Sequence, residues 1–213
     1  VGLQGGGTLS LDATLDRPLD APGVSGRLGA EQLDLASFGL DAPVRMIDLD
    51  LAFVWANDTL SVEGPIKIDQ RALTLKLEQL AFLPQRVRVA ALQLASPDTG
   101  TLRLQGEWPT DPAAPPGAIE LTLTRAWVGD WRQPLDALPL RVDAQGQIRG
   151  HSEDWQASLR GNWQQDPLTG TLQLAASGTP TAIHLEPSEL GSGTSQLGLS
   201  GDYTPGEAPR LTL

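Results

Sequence analysis

Apolar and polar residues alternate along most of this chain. The segment "TLSLDATL" sets Leu9, Leu11, Ala13 and Leu15 on one side, with Ser, Asp and Thr between them. "MIDLDLAF" repeats the pattern with Ile47, Leu49, Leu51 and Phe53, and "ALTLKLEQ" with Leu73, Leu75 and Leu77. "AIELTLTRAW" gives Ile119, Leu121 and Leu123, and "LPLRVDA" gives Leu138, Leu140 and Val142. Shorter runs pair Leu60 with Val62, Val87 with Val89, Leu102 with Leu104, Leu172 with Leu174, Ile183 with Leu185, and Leu197 with Leu199. A period of two predicts β-strands with one face buried or otherwise covered, and about fourteen such runs have strand length.

The intervening positions carry Ser, Thr, Asp, Lys, Arg and Gln, so strands buried on both faces, as in a parallel α/β sheet, are disfavoured. The best helical-turn candidates, "SFGLDAP" and "AWVGDWRQPLDAL", are interrupted by Gly or Pro. The chain is therefore expected to be all-β and mostly antiparallel. Two architectures fit: a closed sandwich or barrel with a dry core, or an open curved sheet whose apolar face lines a groove. An exposed apolar face is normally a liability, which favours closure. Short connections, a core of Leu, Val and Ile with few aromatics, and internal repetition favour the open form.

The repetition is a phrase of the form Leu-x-Gly-polar-aromatic. Leu104, Gly106, Trp108, Asp111 and Pro112 match Leu159, Gly161, Trp163, Asp166 and Pro167, and Leu199, Gly201 and Tyr203 carry a weaker copy with Pro205 near the place of Asp111. The repeat units lie around 102–112, 157–167 and 197–205, inside a single repetitive β-domain spanning 1–213. "PLDAP" at 18–22 is echoed at 40–43 and 134–139. Glycine inside a strand permits a bulge, a bend or close backbone approach, and Asp-Pro starts a turn. The glycines are then either ordinary sheet punctuation or a crease shared by successive strands, with the aromatic residue two places on covering it.

Composition narrows the function. The formal charge of −11 with only 15 scattered Lys and Arg argues against a phosphate-binding surface for nucleic acid, and disfavours tight association with anionic lipid surfaces. The absence of cysteine excludes disulfides, thiolate metal sites and cysteine nucleophiles. The opening "VGLQGGGTLS" has neither an initiator Met nor a signal sequence, and reads as part of a longer chain whose anchor lies elsewhere.

No catalytic constellation stands out. His151, Ser152 and Asp154 are adjacent as a polar turn would place them, and no Gly-x-Ser-x-Gly elbow is present. His184 sits alone in a strand, Asp48 and Asp50 share a solvated face, and Glu63, Glu120 and Asp143 are carboxylates of the kind any acidic β-protein offers. The "GGG" at 5–7 lacks the helix a phosphate loop needs. No enzyme activity, metal or cofactor is expected.

Several phrases, "LDAPGVSGRLGAEQLDL", "MIDLDLAF" with "DTLSVEG", and "LPLRVDAQGQIRG" with "WQASLRGNW" and "DPLTGTLQL", resemble the AsmA-like superfamily, and within it the TamB family. The resemblance implies a long, folded-over, taco-like β-sheet with an apolar concave groove. It implies the periplasmic region of an inner-membrane-anchored protein of a Gram-negative bacterium, partnered through another part of the parent chain by a TamA-like outer-membrane protein. It also implies carriage of phospholipid between the two membranes and support of outer-membrane protein assembly. On that reading the alternating apolar residues named above from Ile47 onward, together with Leu159, line the groove and meet phospholipid acyl chains. The rival is a carbohydrate-binding sandwich using the six Trp, at 55, 108, 127, 131, 155 and 163. A structural β-spacer without lipid transport is the third reading.

Overall fold

The structure, a computed structural model, describes residues 7–15, 23–34, 46–68, 71–96, 100–127, 140–204 and 210–212. Fourteen strands and no helix lie among them. They are β1 (Thr8–Leu15), β2 (Gly23–Asp34), β3 (Met46–Ala56), β4 (Thr59–Ile68), β5 (Arg71–Leu83), β6 (Arg86–Ser96) and β7 (Gly100–Pro109). β8 (Gly117–Trp127), β9 (Arg141–Gly150), β10 (Trp155–Gln165), β11 (Leu168–Thr179), β12 (Ala182–Ser192), β13 (Ser195–Tyr203) and β14 (Arg210–Thr212) follow. Strand order is chain order, so the topology is a meander. The expected all-β, antiparallel fold of repeated short strands is what the chain adopts. Both helical-turn candidates and all three "LDAP" phrases lie outside the described residues, apart from Ala126 and Trp127 at the end of β8.

Two-residue connections explain how little chain is spent between strands. Asn57 and Asp58 join β3 to β4 with φ of 50° and 58°, the left-handed pair of a hairpin turn that matches strand twist. Asp166 and Pro167 join β10 to β11, and Gly193 and Thr194 join β12 to β13. At the other Asp-Pro, between β7 and β8, Asp111 caps its own turn by accepting from the Ala113 amide at 2.9 Å. The turn role predicted for both Asp-Pro pairs is what these geometries show.

The chain divides into two compact units, residues 1–82 with 89–97, and residues 83–88 with 98–213. In the first, β1 to β5 pair antiparallel in succession. In the second, β7 to β14 do the same. The buried apolar residues are few: Ala30, Leu51, Leu73, Ala91, Ala114, Val142, Ala144 and Leu172 among the described residues. A core cluster of Val142, Ala144 and Leu172 gathers Leu123, Leu140, Leu159, Trp163, Leu174 and Leu190 around it in the second unit.

The repeat has a period of three strands. The Leu-x-Gly-x-aromatic phrase occupies β7, β10 and β13. β4 carries a relative, Leu60, Val62, Gly64 and Ile66, and β1 another, Leu9, Leu11, Ala13 and Leu15. Close approach is the reason for glycine in the phrase. A Cβ on Gly161 would stand 2.6 Å from Cα and Cβ of Ala144 and collide with the Asp143 carbonyl, and Gly106, at φ 141°, meets Ala118 and Ile119 the same way. Trp163 lies over Gly170 and Trp155 over Gly178, both on the neighbouring β11, where a side chain is missing.

Candidate functional site

Cross-strand register decides which side chains share a face. In the second unit Leu104, Leu121, Gly146, Leu159 and Leu174 stand in one row across β7 to β11. The next row runs Leu102, Leu123, Ala144, Gly161, Leu172, Leu190 and Leu197 across β7 to β13. Ile119 pairs with Ile148, Leu185 lies opposite Ala176, and Ile183 lies between Gly178 and Tyr203. Leu199 pairs with Ser188. No charged residue enters these rows. The first unit is built alike: Ile47, Leu49, Leu51 and Phe53 face Ile68, Ile66, Gly64 and Val62, which in turn face Leu73, Leu75 and Leu77. Leu60 lies between Trp55 and Leu80. Only Arg71, at the start of β5, brings a charge into register with that side.

Every predicted groove residue that the structure describes therefore stands on the apolar face of its own unit. Val87 and Val89 belong there by alternation, since Arg86 and Arg88 point to the other side and bind Glu107. Leu138 lies outside the described residues, while Leu140 packs on the Val142 cluster.

What alternation alone could not find is how that face survives breaks in the period of two. Ala30 to Leu33, Leu77 to Leu80 and Leu123 to Ala126 are steps of three, and each should send the later residues to the polar side. In each case one extra residue bulges out: Gln32, Gln79 and Arg125, at φ of 51°, 50° and 49°. A left-handed, non-glycine residue is costly unless its surroundings hold it. Here a side chain on the adjacent strand accepts the bulged amide: Asp48 takes Gln32 at 2.5 Å, Ser61 takes Gln79 at 3.4 Å, and Asp143 takes Arg125 at 2.8 Å. A fourth irregularity, at β11 and β12, is held by Ser188, whose Oγ accepts from the Ala175 amide at 3.1 Å. The three left-handed bulges sit on β2, β5 and β8, again every third strand, whereas the fourth irregularity falls on β12. The sequence signal was present, in "EQL" at 31–33 and again at 78–80, each just after an apolar alternation.

The opposite faces are polar and paired. Arg27 meets Asp50 at 3.0 Å and Lys67 approaches Asp48 at 4.0 Å, so the "IDLDL" carboxylates are neutralised by neighbouring strands as well as solvated. Glu107 binds both Arg88 and Arg86, and chiefly the Arg88 hydrogen bond holds its carboxyl below the usual range. Gln105 donates to Glu120 at 2.7 Å. Exposed pairs of this kind contribute little each, and their main effect is to fix register.

The structure also assembles one group the sequence did not show. Ser177, His184 and Asp202 lie directly opposite one another on β11, β12 and β13. His184 Nδ1 is 2.6 Å from Asp202, which raises the imidazole pKa above its ordinary value. The Ser177 hydroxyl, however, donates to Glu186 at 2.9 Å and not to the imidazole, and Glu186 itself lies 3.8 Å from His184 Nε2. A serine whose hydrogen is held by a carboxylate is not activated by histidine, so the row is a polar clasp between strands. The two carboxylates address different ring nitrogens, and no metal-holding group of His, Asp and Glu occurs among the described residues. His151 closes its turn by donating its amide to the Asp154 carbonyl at 2.8 Å, as the polar-turn reading expects.

Trp131 lies outside the described residues, and three of the other Trp are engaged within the sheet. Trp55 stacks on Phe82 at 5.7 Å in the first unit, and Trp155 and Trp163 fill glycine gaps in the second. The Trp163 indole donates to the Thr171 carbonyl at 3.2 Å, so its polar atom is already used.

The apolar faces are the feature that calls for a partner. No helix and no second sheet lies among the described residues to cover them. Leu11 is 67% exposed, Leu197 45% and Ile183 38%. No family model, no curated protein and no solved structure matches the chain. Function must be argued from these faces.

Proposed function

We propose that the chain is a segment of an AsmA-like, TamB-type lipid conduit, whose apolar sheet face carries phospholipid acyl chains in the periplasm between inner and outer membranes. The observation that carries the reading is the uncharged apolar face of the second unit, spanning β7 to β13 with a polar, ion-paired face behind it. Apolar patches of this extent on a protein mark a binding surface for something equally apolar. The inner-membrane anchor, the TamA-like partner and the support of outer-membrane protein assembly belong to the same proposal and come from the family resemblance.

The energetics suit passage. Moving one methylene out of water is worth about 0.8 kcal/mol. A chain leaving a bilayer for a Leu and Val surface exchanges one apolar contact for another, so the net change is small. Successive rows are chemically alike, and none would hold the lipid much more tightly than the next.

The test is lipid extraction from the purified protein with mass spectrometry, on the wild type and on Leu104→Asp with Leu121→Asp, a directly opposed pair. Leu197→Asp, at an exposed position, is the companion variant in which folding is least at risk. Phospholipid on the wild type and its loss from folded variants is the expected result. A lipid-free wild type, or folded variants that retain the wild-type load, would refute the conduit.

A further inference from the structure

One cavity opens where the apolar face of the second unit runs out. It measures about 470 Å3 and lies at the ends of β11, β12 and β13, beside the turn that carries Asp154. Its lining is amphiphilic. Ile183 and Tyr203, paired across β12 and β13, come from the apolar face and are 38% and 41% exposed. His184 and Asp202 come from the polar face, and Thr204 and Asp154 from the strand ends. No Lys or Arg is among the described residues that line the cavity. A lipid whose acyl chains lie on the apolar rows would bring its head group to this rim.

We infer that this rim cavity selects a zwitterionic phospholipid head that bears an ammonium group, and this rests on the conduit reading above. Asp202 is engaged by His184 at 2.6 Å, so it is the less available carboxylate. Asp154 is exposed, and its backbone carbonyl, not its carboxylate, closes the turn with His151. Its carboxylate is the group that meets the ammonium, and the ring of Tyr203 offers a cation a second, weaker attraction. The Thr204 hydroxyl is the donor left for the phosphate. A purely anionic head would bring its charge to a rim with Asp154, Asp202 and no basic side chain among the described lining residues, and would be disfavoured.

The experiment is competitive extraction from vesicles made of equal parts phosphatidylethanolamine and phosphatidylglycerol, read by mass spectrometry of the bound lipid. The wild type should carry the ethanolamine lipid in about fivefold excess, the size of one exposed ammonium–carboxylate pairing near the top of its range. Asp154→Asn should bring the ratio close to one without reducing the total lipid bound. Tyr203→Leu should lower it by a smaller factor. Equal loading of both lipids on the wild type, or an unchanged ratio in Asp154→Asn, overturns the head-group inference while leaving the conduit standing. A wild type that extracts neither lipid overturns the conduit and this inference with it.

Discussion

Removing one carboxylate should show how the apolar face is kept in register. In Asp143→Ala the Arg125 amide loses the acceptor that now lies 2.8 Å away. A hydrogen bond to a charged group contributes about 1.5–3 kcal/mol when shielded. Both residues are exposed, so water replaces part of the loss and about 1 kcal/mol is the expected cost. For a chain of this length that is a fall of roughly 2–4 °C in Tm. The effect should also be local. Arg125 is the residue that lets Ala126, after a step of three, pair with Val142, which is only 3% exposed. Without its acceptor the bulge opens more often, and each opening uncovers the Val142 cluster. Hydrogen exchange read by mass spectrometry should therefore quicken across 123–127 and 141–144, with smaller changes in β12 and β13. Asp143→Asn keeps an acceptor oxygen and should recover about half of the loss. Equal stability of wild type and Asp143→Ala within about 0.3 kcal/mol, with unchanged exchange at 123–127, would refute the claim that this side chain holds the bulge.

Three further outcomes follow from the same geometry. Gly161→Ala places a Cβ against Asp143 and Ala144 in the best-packed part of the second unit, and should cost about 1–3 kcal/mol in denaturant titration, whereas Gly198→Ala, with open space around it, should cost less than Gly161→Ala. His184 has a pKa raised above its ordinary 6.5 by its hydrogen bond to Asp202, so its stabilisation of the β12–β13 pairing is fully present below that value. It is lost as pH rises through the folded-state pKa, and the loss should be visible as faster exchange in β13 that His184→Gln makes independent of pH. Glu107 is shifted the other way, by Arg88 first and Arg86 after it, so its contribution is present above its ordinary 4.5 and disappears as pH falls through the lowered value. Glu107→Gln should flatten that acid limb of the stability curve, and an unaltered limb would show that the two arginines do not hold the carboxylate in solution.

The strands, the antiparallel meander and the membership of the apolar face were legible in the residues, because a pleated strand sends alternate side chains to opposite sides whatever its neighbours do. Leu104 and Leu121 needed no structure to be assigned to one face. The three-strand period was only half visible. The Gly-aromatic phrase could be seen in β7, β10 and β13, but the bulges at Gln32, Gln79 and Arg125 leave as their trace one irregular step each, which resembles the end of a strand. The acceptors that hold them, Asp48, Ser61 and Asp143, lie 16 to 18 residues away and are ordinary polar residues until pairing sets them beside the bulged amide.

By itself, then, the sequence determined the local facts: which segments extend, where Asn-Asp and Asp-Pro turn the chain, and that each strand has one oily side. Those follow from φ/ψ preferences and from a period of two within a few neighbouring residues. Only the tertiary structure decided that the oily sides survive each odd step and join into rows, that Trp155 and Trp163 fill gaps above glycines of another strand, and that Ser177, His184 and Asp202 meet. These depend on register between strands. Hydrogen-bond pairing and side-chain fit choose it across the whole sheet, and one residue of slip would reverse every face.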